Sequence, residues 1–190
     1  EDNMAEIRPF RALRPIPELI CKIAELPYDV MNQKEARDML RQNPLSFLQV
    51  TRSDAALPES IAEDDPQVYE KARENLETYI SRGEMIQDST PCYYIYRQQM
   101  GPYIQIGLVA VASLKEYEDK VIRKHELTRE KKERDRVQHI LATKAQTGPV
   151  FLAYKSKGQL SAFLLDYMGN HTPTYDFTGE DEVRHTLYVM

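Results

Sequence analysis

Residues 65 to 83 leave the backbone little choice. Asp65 stands before Pro66, so a side chain that accepts a backbone N–H is followed by a ring whose fixed φ suits the first helical position. Val68, Tyr69, Ala72, Leu76, Tyr79 and Ile80 then recur at three- and four-residue intervals as far as Gly83, which predicts an amphipathic helix. Directly after it, "CYYIYR" (92–97) and "YIQIGLVAVASL" (103–114) flank Gly101-Pro102 and read as a β-hairpin. Helix followed by hairpin sets the expectation of helices packed on a sheet.

The other segments are read the same way. "EIRPFRALRPIP" (6–17) holds three prolines and spaces Arg8, Arg11 and Arg14 by three. Proline fixes φ and disfavours helix before it, so this segment is extended, and a polyproline-like course would align the arginines along a solvated arm. "CKIAELPYDVM" (21–31) reads as a short strand broken at Pro27 and "NQKEARDML" (32–40) as a helix opened by Asn32 with Glu35 at capping-box spacing. After Asn43-Pro44, "SFLQVT" (46–51) reads as a second strand, and this order suggests an α/β layer rather than a β-sandwich. A helix is expected from about Thr128 to Ala145, ended by Gly148-Pro149. Strands are expected at "VFLAY" (150–154), "QLSAFLL" (159–165), "PTYDF" (173–177) and "VRHTLYVM" (183–190). The expected class is α+β, a mixed and largely antiparallel sheet with about three main helices packed on it, in one domain over 4–190. A sheet-forming run that reaches Met190 without a polar tail looks interrupted, so the sheet is expected to be incomplete and the chain to be the N-terminal part of a longer protein.

Composition narrows the function classes. Apolar residues are 42% and charged residues 29% of the 190, the balance of a folded soluble chain rather than a disordered one. A formal charge of −5 opposes the broad basic face that general nucleic-acid binding needs. Cys21 and Cys92 are isolated, which fits a reducing compartment and suggests neither a zinc site nor a disulfide framework. The run "IGLVAVASL" (106–114) is far short of the roughly 20 residues a membrane span needs, and no basic-then-apolar leader opens the chain. The expectation is a cytoplasmic protein with no membrane association.

"KHELTREKKERDR" (124–136) departs from this acidic background. Arg123 to Arg136 carries seven Lys/Arg and four Asp/Glu, a local charge of +3. At about 100° per residue Val137, Ile140 and Leu141 share a face that should dock on the core, while Arg129, Lys132 and Arg136 group on the neighbouring flank. Thr128 is placed to cap, and a helix start offers unpaired N–H groups with partial positive charge. Arg129, Lys132 and Arg136 with the Thr128 helix start therefore make a candidate anion cradle, with Lys124 as a further phosphate-binding candidate and Asp135 as an orienting residue. The competing reading is a solvated helix face, because Glu130 with Arg134, Arg129 with Glu133 and Lys131 with Asp135 are opposite charges at i,i+4. Against that, Lys132 and Arg136 are like charges at the same spacing, which helix stability alone would not select.

His125 and Glu126 come just before this helix, where a loop presents side chains to a bound group. The histidine suits proton transfer near neutral pH, and the carboxylate could take a hydroxyl proton or hold a metal. "LPYDV" (26–30) is a second candidate, with Tyr28 and Asp29 in a turn before a capped helix; Asp29 could equally satisfy turn amides. His139, His171 and His185 show no metal-ligand spacing, so no resident metal is expected. Dinucleotide loops, P-loops and nucleophile elbows are absent from the sequence.

Taken in order, "IRPFRALRP", "LPYDVMN", "EAR", "NPLSFLQVTR", "VYEKARENL", "KHELTREKKERDR" and "AQTGPVFLAY" resemble the bacterial domain-of-unknown-function family ten-fifteen, from about Met4 to Met190. The family's recurrent positions match Arg8, Pro9, Phe10, Pro27, Tyr28, Asp29, His125, Glu126, Thr128, Asp135 and Arg136. Its members are longer and distantly similar to the ParB/sulfiredoxin superfamily, which includes free-serine kinases, and their genes often lie beside serine-biosynthesis genes. The superfamily-like Asp-Gly-His-His-Arg stretch is absent from this chain.

The resemblance implies a small-molecule phosphotransferase, not active as this fragment alone, that acts on serine or a related metabolite. ATP or ADP with magnesium would be its co-substrate. In that scheme Arg8, Lys124, Lys132 and Arg136 hold phosphate, Thr128 adds helix-start donors and Tyr28 lines the ligand. Glu126 or Asp29 orients a hydroxyl or a magnesium ion, and His125 is an orienting or proton-handling residue. Two other classes stand beside it: a non-catalytic metabolite-binding or regulatory module, and a ParB-like nucleic-acid-binding protein, which the acidic balance opposes. Substrate and oligomeric state are not legible, and a homo-oligomer stays open.

Overall fold

The computed structural model describes residues 5–125, 128–155 and 158–190. In chain order the elements begin β1 (Ile7–Arg8), β2 (Leu13–Pro15), α1 (Ile20–Ile23), α2 (Gln33–Gln42), α3 (Leu48–Thr51), α4 (Pro66–Ser81) and β3 (Met85–Gln87). They continue β4 (Tyr94–Met100), β5 (Tyr103–Val109), β6 (Val111–Ala112), α5 (Leu114–Glu118), α6 (Glu130–Thr143), α7 (Gln159–Asn170), β7 (Tyr175–Thr178) and β8 (Arg184–Val189). The class is α+β with antiparallel pairing, as expected. Among the described residues no helix is long and apolar enough to cross a membrane. The chain forms two compact units, a sheet unit of Glu1–Pro17, Gln87–Leu127 and Leu152–Met190, and a helical unit of Glu18–Ile86 and Thr128–Phe151.

In the helical unit the capping signals are realised. Asn32 Oδ1 accepts from the Glu35 amide at 2.9 Å while Glu35 Oε2 accepts from the Asn32 amide at 2.8 Å, so α2 starts with a complete capping box. Asp65 accepts from the Gln67 amide at 2.8 Å, and α4 buries Val68, Ala72, Leu76 and Tyr79 on one face. The core of α2 is Ala36 and Leu40 against Leu48 and Ala55, with Tyr28, Met31 and Met39 packed around it.

Three expectations fail here. "SFLQVT" folds as α3, in which Leu48, Val50 and Thr51 are all buried. A short apolar run buried on every side has no period to separate strand from helix, and packing then decides. "CKIAELPYDVM" is likewise α1 followed by a 3-10 turn at Tyr28–Val30, not a strand. On α6 the buried side chains are His139 and Thr143, whereas Val137, Ile140 and Leu141 are 46%, 38% and 54% exposed. The inward polar groups are satisfied: His139 Nε2 donates to the Val50 carbonyl at 2.9 Å, and Thr143 Oγ1 donates to the His139 carbonyl at 2.8 Å. The His139 bond to Val50 joins α6 to α3 through a polar group, whereas the apolar periodicity predicted a different inward face.

The sheet unit is built on four antiparallel strands in the order β5-β4-β8-β7. The β4–β5 hairpin pairs Met100 with Tyr103 across Gly101-Pro102, and Gly101 has φ +54°, a value glycine adopts without strain at the first position of a tight hairpin turn. β1 and β6 make a separate ribbon, with Ile7 opposite Ala112. "QLSAFLL" is the first turns of α7, not a strand: beyond Leu160 and Leu164 the pattern continues at Tyr167 and Met168, which is helical spacing. Leu164 is buried, and Tyr167 donates its hydroxyl to the Val189 carbonyl at 3.1 Å, tying α7 to β8. "VFLAY" forms neither helix nor strand, and its residues are exposed.

The arginine arm is only partly solvated. Arg8 pairs with Glu6 in the open, but Arg14 Nη2 lies 2.7 Å from Asp88 Oδ1, with the two side chains only 18% and 11% exposed. Arg11, three residues earlier, donates Nε to the Asp88 carbonyl at 2.7 Å, so the period-three alignment is used to grip one residue. Tyr94 donates to Asp88 Oδ2 at 2.6 Å, and Arg14 Nη1 donates to the Tyr175 hydroxyl at 3.0 Å. Burial alone would raise the Asp88 carboxyl, but hydrogen bonds from Arg14 and Tyr94 outweigh it and hold its pKa below the usual range. Removing one partner of such a pair strands the other. We expect Asp88→Ala to lower unfolding stability by about 3 kcal/mol in urea titrations, and Arg8→Ala, which breaks an exposed pair, by less than about 1 kcal/mol.

Candidate functional site

The turn that carries Tyr28 is fixed from below. Pro27 presets the chain at φ −52° and the 3-10 turn Tyr28–Val30 follows. Arg52 Nη1 donates to the carbonyls of Met31 at 2.7 Å and Tyr28 at 3.3 Å, while its Nε and Nη2 fork onto the two oxygens of Asp54, each at 2.9 Å. Asp54 is buried and the Arg52 side chain is only 12% exposed. The hydrogen bonds to Asp54 raise the Arg52 pKa against the opposing effect of burial, so the guanidinium is charged at any pH at which the protein folds.

On this platform the Tyr28 ring receives the Arg136 guanidinium, 4.6 Å from ring centroid to Cζ. Arg136 in turn donates Nε and Nη2 to Asp135 Oδ2, at 3.0 and 2.7 Å. The other oxygen of Asp135 accepts from the Tyr69 hydroxyl at 2.9 Å. Burial, followed by the hydrogen bond to Asp135, pushes Tyr69 up to about 12, so it remains a donor throughout the working pH range. Arg136 and Asp135 are each about one-third exposed. Among the described residues no hydrogen bond engages Arg136 Nη1, so one edge of an oriented guanidinium remains open.

The structure thus brings together Tyr28, Asp135 and Arg136. Asp29 is the next residue of the same turn and is exposed, and Lys132 is exposed one turn before Arg136. The N-cap of α6 is Arg129, not Thr128, and no side chain caps it; Thr128 is exposed just before. Glu130 and Glu133 occupy the first turn, so the helix-start charge is already offset by carboxylates. Three other candidates belong to the sheet unit. Arg8 is paired with Glu6, Lys124 Nζ lies 5.3 Å from the Tyr117 ring, and His125 is exposed. Glu126 lies outside the described residues.

Sequence reasoning missed Arg52 and Tyr69. Arg52 has no local signature, since its partners at 28 and 31 are fixed only by folding, and Tyr69 sits in the apolar stripe of α4, where its hydroxyl gives no sign of a partner. His139, one turn beyond Arg136, is buried with Nε2 on a carbonyl, and burial lowers its pKa, so it is a neutral packing residue rather than a proton carrier. Among the described residues no three His, Cys, Asp or Glu side chains gather as they would around a metal.

A family model described as Protein of unknown function (DUF1015) matches residues 7–190. No curated protein and no solved structure matches the chain.

One further group in the helical unit titrates abnormally. Glu25 accepts from Thr51 Oγ1 at 2.7 Å through Oε1, but Oε2 is buried with no partner among the described residues. Burial, against the Thr51 hydrogen bond, pushes its pKa from 4.5 up to about 7. Between those values the folded chain holds a proton that the unfolded chain has lost, so stability falls as pH rises from 4.5 to about 7 and is then level. Glu25→Gln should flatten this slope in denaturation curves measured across that window, and should raise stability at pH 8 by up to about 3 kcal/mol.

Proposed function

The chain belongs to the DUF1015 family, and from the geometry of its helical unit we propose that it recognises a small phosphate-bearing metabolite at the Tyr28–Arg136 cluster. The observation that carries this is the open Nη1 edge of a guanidinium that lies over the Tyr28 ring and whose other edge is held by Asp135. A guanidinium fixed in this way loses little freedom when it takes up a phosphate oxygen. Lys132, a turn earlier on α6, adds a mobile positive charge. Because Glu130 and Glu133 offset the helix start, the phosphate is placed at Arg136 rather than at the first-turn amides.

A second reading, phosphoryl transfer to a serine-like hydroxyl, is favoured by one feature. Asp29 is exposed on the residue after Tyr28, a carboxylate beside the arginine platform that can accept the hydroxyl proton as the new P–O bond forms and the bond to the leaving group breaks. A nucleotide with magnesium would supply the phosphoryl group.

Titration calorimetry with O-phosphoserine and with serine tests the binding reading. O-phosphoserine should bind and serine should bind far less. Arg136→Ala should weaken O-phosphoserine by about tenfold or more, and Arg136→Lys should not restore it, since an ammonium cannot both stack and fork. Equal affinity of wild type and Arg136→Ala would remove the assignment. Phosphorus NMR with ATP, magnesium and serine decides between transfer and binding alone.

A further inference from the structure

The helical unit also holds an open cleft of about 600 Å³ whose lining includes none of the residues of the Tyr28–Arg136 cluster. From α2 come Arg37, Leu40 and Arg41; from α4 come Lys71, Asn75 and Thr78. Pro44, Leu45, Ala55 and Ala56 give it an apolar wall, and Arg82 and Glu84, just past the end of α4, complete the polar side. Four cations against one carboxylate line this cleft in a chain whose formal charge is −5.

The cations are available to a ligand. Arg41 touches Asp38 at 3.2 Å, Lys71 touches Glu74 at 3.4 Å and Arg82 stands 4.0 Å from Glu84. Exposed pairs of this kind contribute little and are screened by salt, so oxygens of a bound anion can replace them. Arg37 differs. It is largely buried, its Nη1 donates to the Leu57 carbonyl at 2.8 Å, and its Nε stands 3.8 Å from the exposed carboxylate of Glu59. Its Nη2 is buried with no hydrogen-bond partner among the described residues. A charged donor left short of an acceptor is a costly arrangement, and a small rotation of the guanidinium toward an oxygen in the cleft would relieve it. By contrast the Tyr79 hydroxyl is already used on the carbonyls of Leu45 and Ser46, and Asn75 Nδ2 on that of Gln49, so these side chains fix the wall rather than serve a ligand.

We propose that this cleft is a second binding site, for a phosphorylated organic molecule of the nucleoside-diphosphate class. Arg41, Lys71 and Arg82 meet the phosphates, Arg37 completes one oxygen, and the organic part lies along Leu40, Pro44, Leu45 and Ala56. The volume falls within the ~300–1,000 Å³ usual for small-molecule sites, and the apolar wall is what a bare phosphate site would not need. The proposal stands independently of the reading given to Arg136.

The test is calorimetry on the 190-residue chain with ADP, inorganic pyrophosphate and adenosine, at low and high salt. ADP should bind more tightly than pyrophosphate, adenosine should give no measurable heat, and added salt should weaken ADP. The double variant Arg41→Gln/Lys71→Gln, shown folded by circular dichroism, should weaken ADP by at least about tenfold, while Arg134→Gln, which removes an exposed cation outside the cleft, leaves it unchanged. Absence of ADP binding overturns the proposal, as does an unaltered ADP affinity in the double variant or an equal loss in Arg134→Gln. Equal affinities for pyrophosphate and ADP overturn the nucleotide class of the ligand.

Discussion

Arg52 is the fixed point on which the helical unit's polar architecture depends. Its guanidinium commits four of five N–H donors: two to Asp54, one each to the carbonyls of Tyr28 and Met31. The carbonyls of Tyr28 and Met31 are held by the same cation that pairs with the buried carboxylate of Asp54. Because Tyr28 is placed by this turn, the ring on which Arg136 rests is placed by it too. Loss of Arg52 would leave the buried Asp54 side chain and two carbonyls without their partner, which is why removing one member of a buried pair costs more than the intact pair contributes.

The arginines of this protein differ chiefly in how completely their neighbours use them. Arg14 and Arg52 are part-buried with every guanidinium nitrogen engaged, and each joins segments distant in sequence: Arg14 joins Asp88 and Tyr175, and Arg52 joins the Tyr28 turn to Asp54. Such residues are structural, since an incoming anion would have to displace a carboxylate already held in good geometry. Arg136 is bonded on one edge and stacked on one face, with the other edge open. Arg37 is buried and short of one acceptor. The last two retain directed capacity in fixed positions, which is the property that makes a cation a ligand-binding group rather than a brace.

The local signals in the sequence were accurate where they concern atoms close along the chain. The capping box at Asn32 and Glu35, the Asp65-Pro66 helix start with its buried stripe, the Gly101-Pro102 hairpin and the strands near 175 and 184–189 all stand as expected, because three or four neighbouring residues suffice to fix each. Short apolar runs were less informative. "QLSAFLL" and "SFLQVT" look alike to a strand or to a buried helix, and both became helical. The α6 face failed for another reason. Its apolar residues suggested docking, but Asp135 and His139 find hydrogen-bond partners on neighbouring elements, Tyr69 and the Val50 carbonyl, and the buried side chains are His139 and Thr143. Of the candidate site, the sequence marked Tyr28, Asp135 and Arg136, while Arg52 and Tyr69, which hold them, were invisible.

By itself the sequence determined the α+β class, the bounds of α2 and α4, the central hairpin and the presence of a cationic stretch before α6, since each rests on backbone geometry or on charge, and both are written locally. Only the tertiary structure decided which cations are neutralised and which stay open, which face of α6 is buried, and that Arg37, Arg41, Lys71 and Arg82 line one cleft. Those outcomes depend on distances between residues far apart in the chain, and such distances are set by the packing of whole elements rather than by the residues at either end.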